Sequence, residues 1–217
     1  MIRTALAAAL LSAAATGPAA AQAGPRSHPR IHPLRDVAVT YRVHGTVGPD
    51  KRPESGIVRM FWSDRGTLLR VELQGQPGWG ILNFAAKQMI MVIAPAHRYL
   101  EMPLDPARTP GLNIPPGTAT TRVGHDIVAG TPCTVWVLHG PDGSGTACVT
   151  PGGLVLRARG RGTAPPGSPG AGQQGSGSLR AISVAYGPQP AALFVPPAGY
   201  QRLDLAHIPG LSGGPGR

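Results

Sequence analysis

Little of this 217-residue chain is charged, and less is acidic. Charged residues make up 14%, with 10 Asp and Glu set against 20 Lys and Arg. Ten acids scattered along the sequence leave no Asp/Glu-His group at metal-ligand spacing. Only two cysteines are present, Cys133 and Cys148, so neither a CxxC redox site nor a four-ligand zinc pattern exists. No apolar run reaches the roughly 20 residues that a membrane-spanning helix needs. A serine nucleophile would sit at a strand-to-helix turn, as in G-x-S-x-G, and neither Gly143-Ser144-Gly145, which reads as hairpin, nor the run 175–178, which reads as linker, has that context. Asp36, Glu72 and Glu101 are the carboxylates that folding would have to bring together for glycoside chemistry, and their spacing does not predict it. These absences point away from catalysis, and the expectation is no catalytic residue, no cofactor and no metal.

What the chain does have begins at its N-terminus. Arg3 supplies a positive start, residues 5–15 are apolar except for Ser12, and Gly17-Pro18 stops any helix. Ala21-Gln22-Ala23 is the small-residue pattern that signal peptidase accepts. A cleavable secretory signal over 1–23 is therefore expected, cut before Gly24 with the bond before Gln22 as the competitor, and a periplasmic or secreted product. The alternative is an Ala-rich helix kept in the mature protein, which Pro18 disfavours. The remaining 194 residues (217 less 23) suit one domain.

Of the 20 basic residues 18 are Arg, and removing Arg3 with the signal takes the formal charge from +10 to about +9. Outside the cytoplasm a chain this basic is drawn to anionic envelope surfaces rather than to nucleic acid. The Arg residues are mostly single, which is also how solvated strand faces look. In an oxidising compartment Cys133 and Cys148 are expected to pair, bridging a hairpin across a separation of 15 residues.

The abundance of Gly (31) and Pro (25) argues for strands and turns over helices. Residues 24–35, with three prolines, read as a disordered leader. Val37, Val39, Tyr41 and Val43 alternate with Ala38, Thr40, Arg42 and His44, the period-2 signature of a strand with one wet face. Further strands are expected over 56–62, 67–73, 79–84, 88–94, 97–102, 120–128, 133–138, 146–150, 154–159 and 179–186, with 139–145 as a turn. The apolar run Met89 to Ile93 reads as a central strand covered on both faces. Segment 103–117 carries five prolines and cannot be a strand, 160–178 is a low-complexity, flexible insert, and 205–217 is a frayed tail. The fold class is all-β: a single domain over 36–204, built as a curved antiparallel sheet or half-barrel of nine to ten strands with little helix.

Three stretches taken together, DVAVTYRV at 36–43, DIVAGTPCTVW at 126–136 and ALFVPPAGYQRLD at 192–204, resemble a bacterial family of exported proteins whose fold is similar to the lipoprotein carriers LolA and LolB. The resemblance implies a strongly curved sheet partly closed around an apolar cavity, and it brings no catalytic residue. The carriers also have a lid of helices, in whose place this chain has the Pro-rich 103–117 segment.

Two groups of side chains are candidates for binding. Trp62, Leu69, Val71, Trp79, Met89 and Met91 offer an adaptable apolar surface for a lipid or another apolar small molecule. A domain of this size needs the same residues for its core. Arg157, Arg159 and Arg161 alternate at the end of a strand and suit a phosphate or a lipid headgroup, or simply solvent. The seven histidines read as structural or solvated. His28 and His32 are each followed by Pro and cannot share a helix face, while His44, His97, His125 and His139 fall on or beside different strands. The sequence thus favours an exported, non-enzymatic binding protein, with an envelope-associated module that recognises anionic surfaces as the alternative.

Overall fold

The computed structural model describes residues 28–46, 53–105, 113–164 and 171–204. The expected signal at 1–23 with its cleavage point, and the expected tail beyond 204, lie outside the described residues.

Twelve strands make one sheet: β1 (Val37–Thr46), β2 (Pro53–Ser63), β3 (Leu68–Leu73), β4 (Gly78–Asn83), β5 (Gln88–Ile93), β6 (Arg98–Pro103), β7 (Ala119–Val128), β8 (Thr131–Gly140), β9 (Gly143–Val149), β10 (Val155–Thr163), β11 (Gln174–Tyr186) and β12 (Gln201–Leu203). Their order across the sheet is β12-β6-β5-β4-β3-β2-β1-β11-β10-β9-β8-β7. Two antiparallel meanders, β1–β6 and β7–β11, are joined along the β1–β11 ladder, and β12 returns to pair parallel with β6. The all-β, curved-sheet expectation holds with twelve strands instead of nine or ten. β12 is three residues long, too short to leave a period-2 pattern.

The alternation in β1 does what the pattern implies. Val37, Val39 and Tyr41 are buried in the main core with Trp62, Leu69, Leu82, Leu154, Leu156 and the two cysteines. Phe61, Ile81 and Val92 point the other way and form a second core under Phe194. Phe194 belongs to the Pro-flanked 3-10 turn Ala191–Phe194, which packs without continuing the ladder, as its prolines require.

Four sequence expectations change. First, β5 is third from the sheet edge, and one of its faces is covered only at Met89, which packs against the main core. Val92 is buried in the second core, whereas Met91 and Ile93, on the opposite face, are 39% and 38% exposed. Second, the 139–145 turn shrinks to Pro141-Asp142, because Gly140 and Gly143 already pair across β8 and β9. Third, both arms of the 160–178 insert are strand. Gly160, Arg161, Gly162 and Thr163 pair with Gly177, Ser176, Gly175 and Gln174, while 165–170 lies outside the described residues. Fourth, residues 28–35 lie against the sheet. The Leu34 N–H donates to the Gly152 carbonyl at 2.8 Å, and Gly153, at φ +93°, brings its backbone so close to His32 that a Cβ there would collide with the His32 carbonyl oxygen. The His32 ring then sits 5.3 Å from that of Trp62 and 4.5 Å from that of Phe84.

The Cys133–Cys148 disulfide is formed, joining β8 to β9 with a Cα separation of 5.4 Å. The ladder places Cys148 opposite Val135, so the bridge runs diagonally across the pair. Right-handed twist draws one such diagonal together.

Candidate functional site

Strands β3, β4 and β5 build an apolar cleft of about 560 Å³. The ladder stacks its lining in rows: Leu82 and Met89 in one, level with the buried Leu69, and Val71, Gly80 and Met91 in the next. Leu73 and Ile93 extend it toward the strand ends. Leu73 is 51% exposed. Between Val71 and Met91 the floor is Gly80, whose missing Cβ would meet nothing nearer than Leu82 Cδ1 at 3.8 Å. The depth of the cleft comes from that absent side chain.

Of the six apolar residues proposed from sequence, Val71, Met89 and Met91 line this cleft with their side chains. Leu69 is fully buried beneath it, and Trp62 belongs to the main core, where its ring stacks with that of Phe84 at 6.0 Å. Trp79 alternates with Gly78 and Gly80, so its indole faces the opposite side of the sheet. There it lies under the Arg70 guanidinium at 4.1 Å and packs against the second core. Sequence reasoning missed Leu73, Leu82 and Ile93. Leu73 and Leu82 share the period-2 register of Val71 and Met89, which is the signal that finds them.

Arg70 also holds the C-terminal segment. Its Nε donates to Glu72 Oε1 at 2.8 Å, and a terminal nitrogen donates to the Leu193 carbonyl at 3.2 Å. Trp79 Nε1 is buried beside it without a hydrogen-bond partner among the described residues.

The second candidate group splits. Arg157 pairs with Asp126 at 2.6 Å. The Asp126 carboxyl is held below the usual carboxylate range first by the Ile127 N–H, against the opposing effect of desolvation, and then by the guanidinium groups of Arg157 and Arg180. Arg159 and Arg161 instead line a groove of about 760 Å³ that crosses five strands, β1, β11, β10, β9 and β8. Register sets it out in two rows. One carries His44, Ser178, Arg159, Thr146 and Val137. The next carries Thr46, Ser176, Arg161, Ser144 and His139. Within it Arg159 Nε donates to Thr146 Oγ1 at 3.3 Å, and the Thr46 and Ser176 hydroxyls share a 2.9 Å bond. Sequence reasoning missed His44 and His139 as members, because only the ladder brings them beside β10. Among the described residues no three His, Cys, Asp or Glu side chains meet in a metal-sized group.

No protein-family model and no curated protein matches the chain. Solved structures do. An uncharacterized conserved protein from Thermus thermophilus is similar over 78% of this chain and 90% of its own, at 10% identity and a TM-score of 0.49. MucB, in its Pseudomonas aeruginosa complex with MucA, is similar over 72% of this chain at 14% identity and a TM-score of 0.43, and this chain spans 53% of it. A LolA superfamily protein from Nitrosomonas europaea is similar over 76% of this chain and 92% of its own, at 9% identity and a TM-score of 0.38. A LolA superfamily protein is thus among the similar structures.

Proposed function

We propose that this chain is an exported binding protein, and not an enzyme, that holds a single apolar ligand of acyl-chain type in the β3–β5 cleft. The observation that carries the reading is the cleft itself. Met91, Ile93 and Leu73 remain substantially exposed around a glycine floor, although burying them would stabilise the domain by about 1.5–3 kcal/mol per side chain. Its volume falls in the range of small-ligand sites. Its lining is aliphatic and thioether, flexible enough to follow a chain of methylenes. Four residues of strand separate the Leu69 and Leu73 levels, about 13 Å, the reach of a medium-length acyl chain laid along β3. Export is supported by the signal-like pattern at 1–23 and by the disulfide, which an oxidising compartment preserves.

Native mass spectrometry of protein taken from its exporting host, together with titration of a fluorescent acyl probe, tests this. The expected result is one bound acyl ligand, displaced by the probe, with Met91→Asp weakening probe binding about tenfold or more through the charge set into the apolar lining. Probe binding absent from the folded protein, or unchanged in Met91→Asp, overturns it.

A further inference from the structure

We infer that the groove across β1, β11, β10, β9 and β8 is a second binding site, separate from the apolar cleft, for a phosphate monoester. The lining holds two guanidinium groups, two imidazoles and five hydroxyls, and no carboxylate. Such a set carries two fixed positive charges and no negative one, so an incoming oxyanion satisfies it better than water or a cation does.

The two arginines are equipped differently from Arg157 on the same strand. Arg157 is neutralised by Asp126 at 2.6 Å. Among the described residues Arg159 engages only its Nε, on Thr146, which leaves both terminal NH₂ groups to a ligand. No hydrogen bond or ion pair among the described residues occupies Arg161. Arg159 and Arg161 sit two residues apart on one strand, about 6.6 Å along it, so their forks can converge on one tetrahedral phosphate.

The glycines decide why the groove lies here. Gly145, Gly160 and Gly177 alternate with the lining residues along their strands and stand opposite one another across β9, β10 and β11. A Cβ on Gly145 would lie 2.6 Å from the Arg159 carbonyl and one on Gly160 would lie 3.1 Å from that of Ser144. At Gly145 the strands approach more closely than a side chain permits, at Gly160 the fit is tight, and at Gly177 a Cβ would make an ordinary 3.6 Å contact with the His44 carbonyl. Composition that reads as low-complexity filler thus lets β9 and β10 pack closely beneath the donors. Ser144 and Ser176, on either side of Arg161, stand beside the same phosphate position.

Calorimetric titration of the folded protein with glycerol phosphate, beside flotation with vesicles of phosphatidic acid or of phosphatidylcholine alone, tests the site. Two variants are compared: Arg159→Gln combined with Arg161→Gln, and Arg157→Gln combined with Arg180→Gln, which removes the same charge from the neighbouring row. Binding of glycerol phosphate, or of phosphatidic acid vesicles alone, that falls about tenfold or more in the first variant and much less in the second is expected. The first outcome identifies a soluble ligand and the second a headgroup. Equal loss in both variants means attraction by net charge and overturns the site, as does the absence of binding to either probe. Met91→Asp is expected to leave this binding intact, which keeps its failure distinct from failure of the apolar cleft.

Discussion

Gly80 stands directly across the β4–β5 ladder from Met91 and across the β3–β4 ladder from Val71, so no side chain rises between those two. A side chain at position 80 meets no backbone, since the nearest atom to a built Cβ is Leu82 Cδ1 at 3.8 Å. Gly80→Leu is therefore expected to fill the cleft without unfolding the sheet. Acyl-probe affinity should fall about tenfold or more while the melting temperature stays level or rises. A variant that keeps full probe binding would place the ligand elsewhere.

Tyr41 is a buried phenol whose hydroxyl donates to the Val155 carbonyl at 2.7 Å, tying β1 to the start of β10. Burial, assisted by the neighbouring Tyr186, pushes its ionisation well above the ordinary tyrosine value. The folded state then keeps a proton that the unfolded chain releases near pH 10, so the stability from this group is complete below pH 10 and declines as pH rises beyond it. Tyr41→Phe should cost about 1–2 kcal/mol at neutral pH. It should also flatten the alkaline fall in stability, measured by denaturant titrations between about pH 8 and pH 11.

Arg70 is expected to be the clasp of the C-terminal segment. Arg70→Ala removes the pair with Glu72, the bond to the Leu193 carbonyl and the cover over Trp79, for a loss of about 2 kcal/mol or more. Hydrogen exchange should speed up over 191–203 and stay unchanged over β8 and β9. Uniform acceleration would show a global role instead.

Gly153 lets residues 28–35 reach the sheet. Gly153→Ala places a methyl where the His32 carbonyl stands, at a φ of +93° that alanine resists, with an expected cost of about 1–3 kcal/mol. Limited proteolysis should then cut within 28–35 much faster than in the parent protein.

Replacing Cys133 and Cys148 together by Ala should lower stability by about 3 kcal/mol, the chain-entropy value for a 15-residue loop. Chemical denaturation of the double variant against the oxidised parent reads it directly.

The parts of the fold legible in the sequence are those in which side chains report the backbone. The Val37–Val43 alternation, the 67–73 strand and the cysteine hairpin are of this kind, because their burial depends on one apolar face. The arms of β10 and β11 are not. They are held by ladder bonds between Gly, Ser and Arg residues, and backbone pairing leaves no compositional trace. The packing of 28–35 is hidden for a related reason, since it depends on the conformation of Gly153, far along the chain. In the apolar cleft, Met89 to Ile93 shows why hydrophobicity alone cannot separate a core from a ligand wall. Both faces of β5 are apolar, and only the place of β5 near the sheet edge, with the C-terminal segment over one face, leaves Met91 and Ile93 uncovered. The arginine groove had its signal in the spacing of 157, 159 and 161, but the partner that removes Arg157 sits on β7.

The β1–β11 ladder has a kinetic consequence. Val37 pairs with Tyr186, so the seam between the two meanders joins segments about 150 residues apart, and every earlier hairpin can form before it. Closing so long a loop must precede the gain from its contacts, which makes this seam the expected slow step of folding. Until β11 arrives, the first meander carries β1 as a bare edge of alternating valines, a surface prone to pairing with another chain. A chain that emerges N-terminus first passes through that state on every synthesis, so its yield should depend on how quickly β11 follows and on whether a chaperone covers β1 meanwhile.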